Sequence, residues 1–250
     1  MTRECLVCGN TLPEAYHAAL CKLHHLGDFA PCPDYDTEMR ECGMTLHVEC
    51  PTWEPRISKL MPAGPRELEQ YRQEILDGIL DFEIEKGKWA YTYHSRMAEQ
   101  IPFILEELKR NPYSRRAVID IRDWKYDSKT DSPACLQHIQ FFIRDAELDM
   151  CVLFRSNDAV KATFMNAFAL ICLQEKIAGE LGIDVGTYTH RVNSFHAYEK
   201  DWDLLRRYAK DIEDKPDEEL TYDYKGEWQE YMDEFKPEIA AMVEELRGRD

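Results

Sequence analysis

The stretch that decides the fold is SPACLQHIQFFIRDAELDMCVLFRSND, Ser132 to Asp158. Two runs rich in β-forming residues, LQHIQFFIRD and LDMCVLFRS, are separated by the short segment Asp145-Ala146-Glu147, a pattern that predicts an antiparallel hairpin. Cys135 stands at the start of this hairpin, and an arginine, a hydroxyl and an acid follow its end. The first question is whether Cys135 is one buried thiol among nine cysteines or a nucleophile.

The segments around the hairpin alternate between strand and helix patterns. RRAVIDIRDW and VGTYTHRVNSFHAYEKDW predict further strands, and DAVKATFMNAFALICLQEKIAGELG predicts a long helix that is buried from Phe164 to Leu173. Nearer the N-terminus, LPEAYHAALCKLHHLG, RELEQYRQEILDGILDF and RMAEQIPFILEELKRNP predict helices, and GMTLHVECP predicts a strand. EWQEYMDEFKPEIAAMVEELRGRD predicts a final surface helix broken near Pro237. Because no Gly/Ser linker interrupts this mixture, we expect one α/β domain over residues 1–250.

Composition and charge restrict the class of protein. A net charge of −17 argues against a nucleic-acid-binding surface, which needs a clustered basic face. No apolar run approaches the roughly 18 residues of a membrane span, and MTRECLVCGN lacks the features of a signal peptide. The Cys5-x-x-Cys8 pair has no second pair at the usual zinc spacing. We therefore expect a cytoplasmic protein that binds no nucleic acid, membrane or metal.

Two arginine clusters flank the hairpin. Arg115 and Arg116 precede it, and Arg155 and Ser156 follow it, directly before the acid Asp158. Arginines in an acidic chain are often simply solvated, but paired guanidiniums can hold a phosphate through forked, charge-assisted hydrogen bonds. The start of the following helix favours the same negative charge.

Three polar residues beyond the hairpin stand in apolar or strand contexts. Asn166 lies within the apolar helix, where its amide needs partners and could also read a planar ring with a donor and an acceptor. His196 and Tyr198 alternate on a strand and so point to one face. They are either core residues or a pair that binds a sugar hydroxyl.

The order and spacing of these residues resemble the thymidylate synthase family. Arg116 precedes Cys135 by nineteen residues, and Arg155 follows Cys135 by twenty. Asn166 lies eleven residues beyond Arg155, and the His-x-Tyr pattern begins at His196, thirty residues beyond Asn166. Four matched intervals with matched residue types make Cys135 the candidate nucleophile among the nine cysteines.

The resemblance is specific over residues 91–198 and looser before them. GMTLHVECPTWEPRI and WAYTYHSRM are more similar to the shorter archaeal and phage branch than to the bacterial enzymes. The resemblance implies a large mixed β-sheet covered by helices and a homodimer through the sheet face with shared active sites. It also implies a pyrimidine deoxynucleotide monophosphate as substrate and 5,10-methylenetetrahydrofolate as the one-carbon donor.

The resemblance further implies a role for each matched residue. Cys135 adds to C6 of the pyrimidine, which makes C5 nucleophilic toward the methylene carbon of the folate. By the same resemblance, Arg155 and Ser156 would bind the phosphate, and Arg115 and Arg116 would bind the phosphate in the other subunit's site. Asn166 would bind the O4/N3 edge of uracil, and His196 and Tyr198 would bind the deoxyribose 3′-hydroxyl. Asp158 would lie at the base and folate side, and Tyr93 would lie near the nucleophile.

Some positions depart from the family pattern. Leu136 follows the nucleophile, where the family often has histidine. The general acid/base glutamate is expected in a helix of the N-terminal half, which here contains both Glu69 and Glu74, and we take Glu69 as the candidate. An additional phosphate arginine is expected in the same half, with Arg40 and Arg56 as candidates.

Two reactions share the covalent adduct. Bacterial members end in an apolar tail that closes over the folate, whereas this sequence ends in EELRGRD, so exclusion of water from the site is less assured. In the family that this sequence resembles, an asparagine at the position of Asn166 matches a uracil substrate, whereas an aspartate there matches cytosine. We expect methylation of dUMP to dTMP. The alternatives are a dUMP or dCMP hydroxymethylase and an inactive nucleotide-binding homologue, against which the intact residue set argues.

Overall fold

The predicted hairpin lies within a large sheet. The computed structural model describes residues 3–249. Within these residues the strands are β1 Glu4–Gly9, β2 Asp28–Cys32, β3 Thr37–Val48, β4 Ile57–Ser58, β5 Val118–Asp120, β6 Leu136–Arg144, β7 Glu147–Phe154, β8 Asn157–Asp158, β9 Asp184–Tyr198 and β10 Thr221–Tyr222. The α-helices are α1 Leu12–Leu26, α2 Pro65–Asp77, α3 Phe82–Glu85, α4 Tyr93–Met97, α5 Ile101–Arg110, α6 Trp124–Asp127, α7 Thr163–Leu181, α8 Trp202–Asp214, α9 Asp217–Leu220 and α10 Gln229–Gly248.

Eight of these strands form one mixed sheet. Six follow the order β1-β3-β9-β7-β6-β5, while β2 pairs with β3 and β8 pairs with β9. The β1–β3, β7–β9 and β8–β9 pairs are parallel, and the other pairs in this sheet are antiparallel. The predicted α/β class with a large mixed sheet covered by helices is therefore confirmed.

The hairpin between β6 and β7 turns through two residues. Arg144 pairs with Glu147, and Asp145 and Ala146 between them both have positive φ, at 49° and 65°. Two positive φ values in a two-residue loop match the right-handed twist of the flanking strands, although alanine rarely adopts this conformation. The tight turn fixes the register, so the N-terminal end of β6 lies beside the C-terminal end of β7.

The long helix α7 packs on the sheet as its apolar sequence predicts. Its residues from Phe164 to Leu173 are buried apart from Met165. The buried side-chain amide of Gln174 donates to the carbonyl oxygens of Leu148, at 2.7 Å, and Thr187, at 3.0 Å. These bonds join α7 to β7 and β9, and they place the first turns of α7 above the strand ends that carry the site.

The N-terminal half supplies the other walls. α1 packs on β1 and β3, and α2 packs between α7 and α10. The main hydrophobic core extends along the chain from Val7 to Met232. Among the helices of residues 3–249, none is long and apolar enough to cross a membrane.

Two predicted elements differ from the structure. α10 is not broken at Pro237 but continues through it. Proline removes one helical hydrogen bond, and packing offsets that loss, because Met232, Ile239 and Val243 are buried. The strand predicted from RRAVIDIRDW is shorter than expected, with only Val118–Asp120 paired to β6.

Candidate active site

A cavity of about 790 Å³ opens at the end of the sheet where β6 begins and β7 and β9 end. Its walls come from β2, β3, β8 and β9, from α2, α4 and α7, and from the loops directly before β6 and after β7. The structure brings together here most of the site residues predicted from the sequence. They are Tyr93, Cys135, Arg155, Ser156, Asp158, Asn166, His196 and Tyr198.

Arg155 ties the cysteine loop to the end of β7. Its Nε donates to the carbonyl oxygen of Ala134 at 3.0 Å, and its Nη2 donates to that of Pro133 at 2.9 Å. Its backbone N–H donates to the carbonyl of Cys135 at 2.8 Å. Three bonds from one residue therefore position the thiol of Cys135 next to a guanidinium, and the other guanidinium N–H groups remain available for an anion.

Burial and charge act in opposite directions on Cys135. Burial raises the pKa of its thiol, and the positive charge of Arg155 offsets part of that increase. Burial also raises the pKa of Tyr93, whose hydroxyl stays protonated and accepts the backbone N–H of Leu136 at 3.3 Å. The arrangement suits a nucleophile that is mostly protonated at rest and whose thiolate is stabilised by a nearby cation.

His196 presents an unpartnered acceptor. The residue is 4% exposed, and its Nδ1 lies 3.0 Å from the carbonyl oxygen of Ser194, so Nδ1 carries the proton. Its buried Nε2 has no hydrogen-bond partner among residues 3–249. The ring of Tyr198 lies edge-on at 4.8 Å. A buried acceptor without a partner is costly, and a hydroxyl from a bound molecule would satisfy it.

The amide of Asn166 is held from both ends. The hydroxyl of Tyr71 donates to its Oδ1, and its Nδ2 donates to Oδ1 of Asn157 at 3.1 Å. One lone pair of the oxygen and one hydrogen of the nitrogen remain for a ligand in the cavity.

Asp158 organises the entry to α7. One of its carboxylate oxygens accepts the backbone N–H groups of Val160 and Lys161, both at 2.9 Å. Its carbonyl accepts the hydroxyl of Thr163 at 2.9 Å. These bonds fix the β8–α7 turn, so that Asp158 lines the cavity while its own backbone is immobilised.

A second cleft of about 480 Å³ adjoins the cavity and shares Tyr71, Tyr91, Tyr93 and Ser132 with it. Its other lining residues are half apolar and half polar or charged. These additional residues are Glu74, Ile75, Leu80, Asp81, Lys88, Trp89, Ala90 and Thr92. Burial raises the pKa of Glu74, while a hydrogen bond from Gln70 opposes that increase. Flat aromatic walls beside the thiol suit a planar ligand.

The structure does not bring Glu69 into the site. Glu69 is 1% exposed, and its carboxylate is taken up by Arg72, at 2.7 Å, and Gln73, at 2.8 Å. Successive helical residues differ by about 100°, so Glu69 and Tyr71 face nearly opposite directions, and Tyr71 lines the cavity. The structure thus places Glu69 away from the cavity, and of the two candidate glutamates only Glu74 borders a cleft that reaches the cysteine cavity.

The N-terminal arginine candidates also lie outside the cavity. Arg56 is 2% exposed and forms a bidentate pair with Glu175, at 3.0 and 2.7 Å. Arg40 donates to the carbonyl of Gly27 at 3.2 Å and lies over the ring of Phe29. Neither arginine lines the cavity that contains Cys135.

Arg115 and Arg116 lie in a separate surface cleft. They are exposed and share this cleft with Glu107, Arg110 and other residues before β5. The cleft contains none of the residues that line the cysteine cavity. Within one subunit the two arginines therefore do not contribute to that cavity.

The cysteines of the CxxC pair point to opposite faces of β1, since they are three residues apart on a strand. They therefore cannot bind one ion together. No group of three or more histidine, cysteine or acidic side chains is arranged to hold a metal anywhere in residues 3–249.

Sequence reasoning missed Tyr71 and Asn157. The inward-facing position of Tyr71 could have been predicted, because Tyr71 lies three residues after Leu68 and four before Ile75, on the apolar face of α2. Asn157 gave no signal, since it stands between two predicted ligand-binding residues, and only the tertiary structure shows its contact with Asn166.

Comparisons with known proteins identify the family. The family model for thymidylate synthase matches residues 52–243. A Methanocaldococcus jannaschii protein named "Putative thymidylate synthase" is 37% identical over 172 residues, which are 62% of this chain and 75% of that protein. A Methanosarcina barkeri protein of the same name is 28% identical, covering 83% of this chain and 95% of its own length.

Two bacterial proteins extend the comparison. Thymidylate synthase 1 of Bacillus spizizenii is 28% identical over 60% of this chain and 54% of its own length. The fold resembles that of thermostable thymidylate synthase A from Bacillus subtilis, with a TM-score of 0.64, 16% identity, and coverage of 80% of this chain and 84% of that one. On the match to the family model, which spans most of its length, this chain belongs to the thymidylate synthase family.

Proposed function

We propose that the protein methylates dUMP to dTMP, with 5,10-methylenetetrahydrofolate as the one-carbon donor and with a covalent adduct through Cys135. Membership of the family supports the reaction class, a one-carbon transfer. The observation that supports the proposal best is the cavity itself. It combines a thiol beside a guanidinium, a buried imidazole nitrogen without a partner and an amide with a free donor and a free acceptor.

The thiol acts first. Cys135 loses its proton, and its sulfur forms a bond to C6 of the pyrimidine while the C5–C6 π electrons move toward C5 and O4. Arg155 stabilises the thiolate that this step requires. C5 then forms a bond to the methylene carbon as the bonds from that carbon to the two folate nitrogens break, with both electron pairs going to nitrogen, and C5 gives up its proton to a base. A hydride then adds to the exocyclic methylene carbon and converts it to a methyl group. After methyl formation, the sulfur leaves C6 with its bonding electrons and the ring double bond is restored.

The nucleotide is held at three points. The free N–H groups of Arg155 and the hydroxyl of Ser156 bind the phosphate through charge-assisted hydrogen bonds. The unpartnered Nε2 of His196 accepts the 3′-hydroxyl of the sugar, with Tyr198 beside it. Asn166 pairs with the base edge through its remaining donor and acceptor.

The adjoining cleft fits the folate. Trp89, Tyr91, Ile75 and Leu80 offer flat apolar walls for a pterin ring, directly beside the cysteine cavity. Bound there, the folate supplies the methylene carbon and then a hydride that reduces it to methyl. Glu74 is a carboxyl group of this cleft whose charge acts on Tyr71, and its raised pKa favours its use as a proton donor or acceptor.

A second reaction of the same adduct is hydroxymethylation, in which water attacks the methylene group instead of hydride. One observation favours considering it. Among the described residues, none after Tyr198 lines either the cavity or the adjoining cleft, so α10 does not cover the site. Removal of water from the site decides between the two products.

A homodimer completes the phosphate site in this proposal. Arg115 and Arg116 are exposed and lie away from the cavity of their own subunit, as expected if they serve the cavity of a second copy. An acidic chain with net charge −17 gains most from added guanidiniums at a phosphate site.

The proposed reaction predicts defined products. With dUMP and 5,10-methylenetetrahydrofolate, mass spectrometry should detect dTMP together with dihydrofolate, and dCMP should react poorly. Cys135→Ser should abolish turnover, whereas the matched control Cys151→Ser, outside the cavity, should retain it. A hydroxymethylated nucleotide together with tetrahydrofolate would establish the second reaction instead, and absence of either product would contradict the proposal.

The electrostatics of Cys135 predict a pH shift. Thiolate is the reactive form, and burial places the pKa of Cys135 above the usual value of 9.0, so its alkylation by iodoacetamide should still accelerate above pH 9. Arg155→Gln keeps a donor for the loop carbonyls but removes the charge, and it should move the midpoint of the rate to higher pH. The control Arg191→Gln, in an exposed pair with Glu4, should not move it. An unchanged or lower midpoint in Arg155→Gln would show that the charge does not act on the thiol.

The shared site predicts complementation between inactive subunits. Cys135→Ser subunits and Arg115→Ala/Arg116→Ala subunits should each have little activity alone. Mixed heterodimers should recover activity at one of their two sites, because that site combines an intact cysteine with intact arginines. Heterodimers isolated by two affinity tags that recover no activity would refute the sharing of residues between subunits.

A further inference from the structure

A buried chain of hydrogen bonds runs from the cavity into the sheet. Tyr71 on α2 donates to Asn166, and Asn166 donates to Asn157 at 3.1 Å. Nδ2 of Asn157 lies 3.1 Å from Nε2 of His190, and Nδ1 of His190 lies 2.7 Å from the hydroxyl of Tyr188. We call these five residues the buried relay.

The relay is uncharged, and its inner members are buried. Tyr188 and His190 are fully buried, and Asn157 and Asn166 are 4% and 7% exposed. Burial lowers the pKa of His190 to about 3, so its imidazole is neutral and has one N–H. The ring stacks on Phe154 at 4.7 Å, which limits its rotation.

Each inner member of the relay has one donor and one acceptor end. A neutral imidazole donates from one nitrogen and accepts at the other, and an amide does the same through its nitrogen and oxygen. Since Asn157 accepts from Asn166 through its oxygen, its nitrogen faces His190 and donates to Nε2. His190 must then carry its proton on Nδ1 and donate to Tyr188. Reversing one bond would require reversing the others.

The direction of the hydrogen bonds in the relay decides how the amide oxygen and nitrogen of Asn166 are oriented toward the cavity. Its oxygen lies on the Tyr71 side and its nitrogen on the Asn157 side. Uracil presents an N3–H donor and an O4 acceptor along this edge, whereas cytosine presents an N3 acceptor and an N4 amino donor. An amide in one orientation pairs with one of these edges, and the rotated amide pairs with the other.

We infer that the buried relay locks the amide of Asn166 in one orientation and so sets the selectivity for uracil over cytosine, with Asn157 and His190 as positioning residues. This inference rests on the proposed function, since it requires a pyrimidine nucleotide in the cavity. Asn157 borders the cavity and His190 does not, and both act through Asn166. They couple its amide to the rest of the relay, because rotating the Asn166 amide alone would leave buried donors and acceptors facing like groups.

The test compares variants that break the relay with variants that preserve it. Asn157→Leu and His190→Phe remove the links and keep similar side-chain size. His190→Gln retains one donor and one acceptor and should rescue the link. His17→Phe is the matched control, because His17 is another buried histidine, bonded to Ser58 and outside the cavity.

The measurement is the ratio of kcat/KM for dUMP to that for dCMP, together with the Kd of each nucleotide without folate. Relay-breaking variants should lower both preferences for dUMP by between about tenfold and a hundredfold, the usual worth of a bidentate base contact. His190→Gln and His17→Phe should keep the wild-type preference. Folded Asn157→Leu and His190→Phe proteins that keep it would overturn the inference.

A measurement on the wild-type protein avoids any dependence on the folding of variants. The ¹⁵N shifts of His190 should show a protonated Nδ1 and an unprotonated Nε2, and the opposite tautomer would overturn the stated direction of the relay. The failures are distinguishable. If the wild-type protein binds neither dUMP nor dCMP, the proposed function fails as well, whereas a wild-type preference that the variants retain contradicts the relay alone.

Discussion

The contact between Arg155 and the loop before β6 is the constraint on which the rest of the site depends. Arg155 directly follows the central strand β7, and two of its guanidinium N–H groups donate to the carbonyls of Pro133 and Ala134. The same bonds place the thiol of Cys135 beside the charge and leave other guanidinium N–H groups available. One side chain thus connects the proposed nucleophile, its electrostatic activation and the proposed phosphate site.

Around this cation the site is built from buried neutral groups. Burial raises the pKa of Cys135 and Tyr93 and lowers that of His190, so the uncharged form of each group is favoured. Tyr93 and His190 form hydrogen bonds to other groups of the protein. Such an interior orients a ligand through donors and acceptors set in place beforehand, which is the usual source of selectivity and of electrostatic stabilisation.

Much of this arrangement follows from the sequence, because chemically distinct residues stand at fixed intervals around a recognisable hairpin. The sequence did not determine which residues of α2 face the cavity. Glu69 and Tyr71 are two positions apart, and local pattern does not decide which of them faces the cavity. Helix α10 passes through Pro237 because distant residues pack against it, an effect that local propensity does not contain. The contact between Asn157 and His190 depends on the parallel pairing of β8 with β9.

In the proposed reaction, Cys135 bonds to the pyrimidine while the folate occupies the adjoining cleft. The most direct test is intact-mass analysis after incubation with 5-fluoro-dUMP and 5,10-methylenetetrahydrofolate, because fluorine at C5 cannot leave as a cation and the adduct cannot proceed. The account predicts a mass gain equal to both small molecules, located on the peptide that contains Cys135 and absent from Cys135→Ser protein. No mass gain, or a gain that survives in Cys135→Ser, would contradict it.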